Sequence, residues 1–254
     1  MPIEVSPTDQ AVVTVTIANE TRRNALDLEM FQQLAALWPR FAEMPSVRVI
    51  VLRGAGDTAF CSGADLAAAL HLHDGIDDLI DRALLKTQFF PKPIVAAING
   101  HCVAGGLELA LSADVRIGRQ DAKYGLPEVQ WGVMPSGGGT MKLIDQIGFA
   151  AAMDLLLTGR LVSGSEATEI GILNAAVGAD DVIPIAYERA NSIALNSPIA
   201  VQAAKRAALF SKTKAYKGQE VLERELVARV RSSGHTDVGI RAFLNGESAV
   251  YTDE

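Results

Sequence analysis

Hydrophobic and polar residues follow two periods along the chain. Residues 11–17 (Ala-Val-Val-Thr-Val-Thr-Ile) are β-branched and alternate, which predicts a half-buried strand. Residues 47–52 and 94–98 are short continuous apolar runs and predict buried strands, and 115–117 predicts a shorter one. Asp27 is placed to cap a helix over 28–44 with Leu28, Phe31, Leu34, Ala35 and Trp38 on one face, and Pro39 is expected to kink or end it. Further helical patterning covers 76–89 and 105–112. The alternation runs to about residue 195. Beyond it strand signals stop, and 198–210, 219–232 and 236–244 all read as helical. Asn196-Ser197-Pro198 breaks the chain between these regimes, so the expected fold class is α/β, with a core over 1–196 and a helical region over 197–254.

Composition narrows the partners. Apolar residues make up 49% of the 254, and charged residues only 21%, so part of the surface is expected to be buried against sister subunits. The net charge of −7 argues against nucleic acid, though not against an anionic small ligand. Lys205, Arg206, Lys212, Lys214 and Lys217 in the helical region read as a solvated face, or as a rim for a phosphorylated ligand. Cys61 and Cys102 lie in apolar, glycine-rich surroundings without metal spacing, which fits small buried side chains in a reducing compartment. Residues 1–4 lack the character of a signal peptide and no apolar run reaches membrane-spanning length, so a soluble, cytoplasmic protein is expected.

Several motifs resemble known signatures only in part. Gly54-Ala55-Gly56-Asp57-Thr58-Ala59 fits a dinucleotide fingerprint, but it is followed by another loop-like stretch where that fingerprint must open a helix. Ser136-Gly137-Gly138-Gly139-Thr140 lacks the lysine of a phosphate loop, and no serine sits in a G-x-S-x-G elbow. His71, His73, His101 and His235 have no metal-ligand spacing and read as structural or solvated.

The chemistry is carried by two glutamates. Glu108 lies in the apolar Gly105-Gly106-Leu107-Glu108-Leu109-Ala110, and Glu128 follows Leu126-Pro127 just before a glycine-rich loop. A carboxyl in an apolar setting holds its proton more tightly, and two beside one cavity can handle a water molecule and its protons. Two small-residue loops, 60–66 and 99–106, each lead towards a helix start with free N–H groups. One N–H from each would make an oxyanion hole suited to an enolate. Spacing alone does not separate that arrangement from two ordinary turns.

The wording of these segments adds to their spacing. Phe60-Cys61-Ser62-Gly63-Ala64-Asp65-Leu66, Lys92-Pro93-Ile94-Val95-Ala96-Ala97-Ile98-Asn99-Gly100 and Gly105-Gly106-Leu107-Glu108-Leu109-Ala110 resemble, in order, motifs of the crotonase family, the enoyl-CoA hydratase/isomerase superfamily. Leu126-Pro127-Glu128 with Gly132 to Thr140, and the early Arg23-Asn24-Ala25-Leu26, resemble others, so the likeness spans about residues 11–245. It implies a spiral of ββα units with a C-terminal helical region that builds trimers or dimers of trimers. It implies an acyl-CoA thioester substrate and no metal or redox cofactor; the expectation of no nucleic acid or membrane partner comes from the charge and hydropathy instead.

By resemblance, the amides of Ala64 and Gly105 stabilise a thioester enolate, Glu108 takes a proton from water and Glu128 delivers one to C2. Arg23, Ala25, Ser62, Asp65, Leu66, Trp131 and Ser136 are the expected substrate contacts, with acyl-pocket walls near 66–85 and Trp131. Ser136 departs from the glycine common at its position. The C-terminus lacks the basic ending of many members, leaving Arg22, Arg23, Lys86 and Lys92 as alternative phosphate partners. Isomerisation of a 3-enoyl-CoA, or a non-catalytic assembly or RNA-binding role, are the alternatives the resemblance leaves open.

Overall fold

In the computed structural model, which describes residues 2–65 and 76–251, two sheets share one winding pattern. The larger sheet contains β1 (Ile3–Val5), β2 (Val12–Ile17), β3 (Val49–Gly54), β5 (Ile94–Ile98), β7 (Val115–Arg119) and β10 (Ala175–Val177), in that order. The smaller contains β4 (Ala59–Cys61), β6 (His101–Val103), β8 (Lys123–Gly125) and β9 (Val162–Ser163). Only β1 and β9 pair antiparallel. The chain lays β3, β5 and β7 side by side in one sheet and the strands that follow them, β4, β6 and β8, side by side in the other. Each turn of this spiral therefore ends at the carboxyl end of a parallel strand in the smaller sheet.

The continuous apolar runs of β3 and β5 follow from burial on both faces. Ile50, Leu52, Ile94, Ala96 and Ile98 enter the main core, while Val49, Val51, Val95 and Ala97 face α7 (Val182–Ala194) through Val182, Ala186 and Ala190. On the main-core side lies α1 (Leu28–Glu43), capped by Asp27, whose carboxylate accepts from the Met30 amide. Of the kink or end expected at Pro39, the end does not occur: the helix runs on to Glu43. Pro39 faces solvent, and Met30, Phe31, Leu34, Trp38 and Phe41 supply an uninterrupted buried face that outweighs one missing hydrogen bond. Leu28, expected on that face, is 47% exposed. Trp38 Nε1 donates to the Ala83 carbonyl at 2.8 Å, tying α1 to α2 (Ile76–Ala83).

The remaining helices are α3 (Gly105–Ala110), α4 (Gly139–Ile147), α5 (Phe149–Thr158), α6 (Gly164–Glu169), α8 (Pro198–Ser232) and α9 (His235–Asn245). The first two helices expected after residue 197 are one, α8, of 35 residues. The polar stretch between them stays helical because Lys212 Nζ (2.5 Å) and Tyr216 Oη (2.8 Å), one turn apart, both bind Asp145 Oδ2 on α4. Lys205 likewise binds Asp114 Oδ2 at 2.7 Å. These lysines tie the helix to the core. Among the described residues no helix is long and apolar enough to cross a membrane.

Candidate active site

Three neighbouring parallel strands of the smaller sheet deliver the candidate residues to one place. β6 pairs with β4 through Cys61↔Cys102 and with β8 through Val103↔Gly125. The segments leaving their carboxyl ends are Ser62-Gly63-Ala64, Ala104-Gly105 and Leu126-Pro127-Glu128. Ala64 forms a parallel bridge with Leu26: the Leu26 amide donates to the Gly63 carbonyl and the Asp65 amide to the Leu26 carbonyl. That pattern turns the Ala64 N–H away from Leu26. Ala104 adopts φ 51°, a left-handed conformation unusual for alanine, and so swings the Gly105 amide out at the start of α3. The two amides are neighbours, since a Cβ on Gly105 would lie 3.6 Å from the Ala64 nitrogen. Gly63 is required here: a Cβ on it would meet that of Ala104 at 2.7 Å.

Glu108 follows Gly105 by one turn of α3 and is 4% exposed. Its Oε1 accepts from the amides of Gly137 (2.7 Å) and Gly139 (2.9 Å). The missing side chains make that contact possible: a Cβ on Gly137 would lie 2.6 Å from Glu108 Oε2, and one on Gly139 3.0 Å from Oε1. Burial pushes the Glu108 pKa up to about 7. The Gly139 and Gly137 amides and Lys142 oppose that rise, while Glu223 adds to it. Glu128 begins a short 3-10 turn (Glu128–Trp131) and is 7% exposed. Its Oε2 has no hydrogen-bond partner among the described residues. Burial, then the charge of Glu108, hold its pKa well above the carboxylate range. The pair therefore retains a proton near neutrality, and the two amides on Glu108 favour charge on that carboxyl.

Both glutamates, Ala64 and Gly105 line one cavity of about 280 Å³. Ser62, Trp131 and Ser136 line it as well, among apolar walls from Phe31, Leu84 and Met134. The helical region closes the remaining side with Arg231 of α8 and Asp237 of α9, neither legible from sequence. Trp131 packs against Phe243 of α9 with the rings tilted by 54° and 4.9 Å between centroids. A larger cavity of about 810 Å³, under the first half of α8, contains neither glutamate.

The other described sequence candidates fall outside this lining. Arg23 is exposed; its carbonyl accepts from the Ser62 amide at 3.2 Å. Ala25 is buried behind the loop, and Asp65 forms an ion pair with Arg22. Leu66, His71 and His73 lie outside the described residues. Lys86 and Lys92 are not free to meet phosphates: Lys86 is buried in an ion pair with Glu223 at 2.6 Å, and Lys92 is buried with its ammonium on the Met44 carbonyl. Burial pushes the Cys61 thiol up to about 12 and Cys102 the same way, so both stay as protonated core side chains. His101 accepts from the Lys123 amide at 3.0 Å, and His235 stacks on Tyr251. Gly54 leads through a turn into β4, and its backbone is bound by the Asn99 side chain (3.0 Å for both contacts). The Gly137–Gly139 run, which has part of a phosphate-loop signature, holds the Glu108 carboxylate.

The chain resembles known proteins over nearly its whole length. The model of the enoyl-CoA hydratase/isomerase family matches residues 7–254. The chain is 34% identical over 242 residues to the enoyl-CoA hydratase EchA19 of Mycobacterium tuberculosis, covering 92% of this chain and 86% of that protein. It is 37% identical over 221 residues to (E)-benzylidenesuccinyl-CoA hydratase of Thauera aromatica, covering 84% of each. The crystal structure of carnitinyl-CoA hydratase from Mycobacterium avium superposes with a TM-score of 0.91 at 29% identity, over 99% of this chain and 98% of that one.

Proposed function

The chain belongs to the enoyl-CoA hydratase/isomerase family, and from that premise we propose that it adds water across the double bond of a trans-2-enoyl-CoA thioester. One observation carries the reading: two buried carboxyls and two adjacent amides line the same cavity. The thioester carbonyl oxygen sits against the Ala64 and Gly105 amides. Glu108 takes a proton from water as the water oxygen bonds to C3. The C2=C3 electron pair moves onto the thioester oxygen as an enolate, which the two amides stabilise; one such donor contributes about 2.7–4 kcal/mol. The enolate collapses as Glu128 gives its proton to C2, leaving a 3-hydroxyacyl-CoA. Glu108 then loses the water proton and Glu128 regains one from solvent.

The hydrogen-bond inventory supports this division of labour. The two amides on Glu108 favour its charged form, the form a base needs. The unpartnered Glu128 oxygen suits a carboxyl that carries a proton. Exposed apolar side chains on α8, including Ile199 (82%) and Phe210 (73%), support self-association into trimers or dimers of trimers. Turnover of crotonyl-CoA by the wild type, Glu108→Gln and Glu128→Gln tests the proposal, and equal rates in all three would end it. A 3-enoyl-CoA offered in parallel separates hydration from isomerisation: conversion to the 2-enoyl product without hydration would assign the isomerase.

A further inference from the structure

The loop that holds Glu108 is itself held from behind. Gly138, at φ 106°, lies between two lysines, and a Cβ on it would sit 3.3 Å from Lys86 Cγ and 3.4 Å from Lys142 Cε. Lys142, on α4, is buried; its ammonium donates to the Leu85 carbonyl at 2.7 Å and to Ser112 Oγ at 2.6 Å. Lys86 pairs at 2.6 Å with Glu223, a residue of α8 that is 5% exposed. Glu223 also accepts from Thr140 Oγ1, and Thr140 directly follows Gly139, whose amide holds Glu108. A glutamate of the helical region thus reaches the back of the candidate base through two residues of α4.

We propose that Glu223 and Lys142 are positioning residues that act on Glu108 with opposite sign, so that the helical region biases whether the base carries a proton. The inference rests on the reading of Glu108 as the base. Among the described residues three charged groups bear on Glu108: Glu128 from the 3-10 turn, Glu223 from α8 and Lys142 from α4. Asp81 and Lys86 bear on Lys142 in turn. Glu223 repels the carboxylate and favours the protonated form. Lys142 attracts it, and does so more at lower pH, because burial brings the ammonium down to about 7. Lys86 offsets part of the Glu223 charge, and the bond from Thr140 ties Glu223 to the amide cradle. Loss of either charge then moves the protonation of Glu108 in a direction fixed by the sign removed. A role confined to packing predicts no such opposition.

The test is the pH dependence of kcat/KM for crotonyl-CoA hydration, with the wild type, Glu223→Gln, Lys142→Met and Lys142→Arg compared. Glu223→Gln is expected to move the acidic limb to lower pH and Lys142→Met to higher pH, each by about one pH unit. Lys142→Arg, which keeps the charge, brings the limb back towards the wild type. Movement of both limbs in one direction, or of neither, overturns the proposal. The carboxyl 13C resonance of Glu108, assigned by its loss in Glu108→Gln, gives the same midpoints without turnover. A protein that hydrates no enoyl-CoA but shows the opposed midpoints by NMR would end the proposed function and keep this inference. Should Glu223→Gln fail to fold, the two Lys142 variants decide alone, because Lys142→Arg differs from Lys142→Met in charge: equal midpoints in those two overturn it.

Discussion

The two glutamates sit in regions built in opposite ways. Glu108 comes from a helix buried inside the spiral and meets two amides supplied by a glycine run 29 and 31 residues further on. Glu128 comes from a single short turn under α9, and one of its oxygens meets no partner among the described residues. Both are desolvated, so burial does not distinguish them. Hydrogen bonding does: two amides from the glycine run lower the cost of charge on Glu108, whereas on Glu128 that help comes from its own amide and Oε2 meets no donor among the described residues. On the proposed reading, the backbone around each carboxyl is what separates base from acid.

The largest effect that would break this comparison is loss of either carboxyl. Glu108→Gln and Glu128→Gln are each expected to cut kcat for crotonyl-CoA hydration by about 10²–10⁴-fold, measured by loss of enoyl absorbance. Next is the cradle. Gly137→Ala places a Cβ 2.4 Å from Leu84 Cδ1 and 2.6 Å from Glu108 Oε2, so the carboxylate must move. A displacement of about 1 Å is expected to cost about 10²-fold in kcat, while the circular dichroism spectrum stays that of the wild type.

The pH response sharpens the contrast. The Glu108 pKa of about 7 in the folded chain lies above the free value of 4.5, so folding takes up a proton between those pH values. The stability this contributes is complete at the acid end and is lost as pH rises through 7. Glu108→Gln, which never ionises, should therefore exceed the wild type by about 1–3 kcal/mol at pH 8 and match it below about pH 4 in denaturant titrations. Activity runs the other way: kcat/KM should rise through about pH 7 as Glu108 ionises and fall at higher pH as Glu128 loses its proton. The smallest effect is expected far from both glutamates. Lys212→Met removes a half-exposed pairing with Asp145 and should change stability by less than about 1 kcal/mol with no change in the pH profile.

Much of the fold was legible because local rules and tertiary burial agree. The run 94–98 is a strand at the residues predicted, since a continuous apolar stretch between breakers has few other uses. Asp27 caps α1 as its position suggests. The short strands β4, β6 and β8 have two or three residues of ladder each, too few for a pattern to declare them. The unbroken α8 was illegible for a different reason: its polar middle is held by Asp145, some 70 residues away in sequence.

The chain's order of residues determined which groups could do chemistry: two glutamates in apolar surroundings and two loops small enough to offer bare amides. Only the tertiary structure decided what those groups meet. Three adjacent parallel strands bring Ala64, Gly105 and Glu128 to one edge, and Gly137 and Gly139 arrive from another turn of the spiral to hold Glu108. Residue type is a local property, but desolvation and hydrogen-bond supply depend on what packs against the group. The protonation of each carboxyl is therefore written by neighbours distant in sequence.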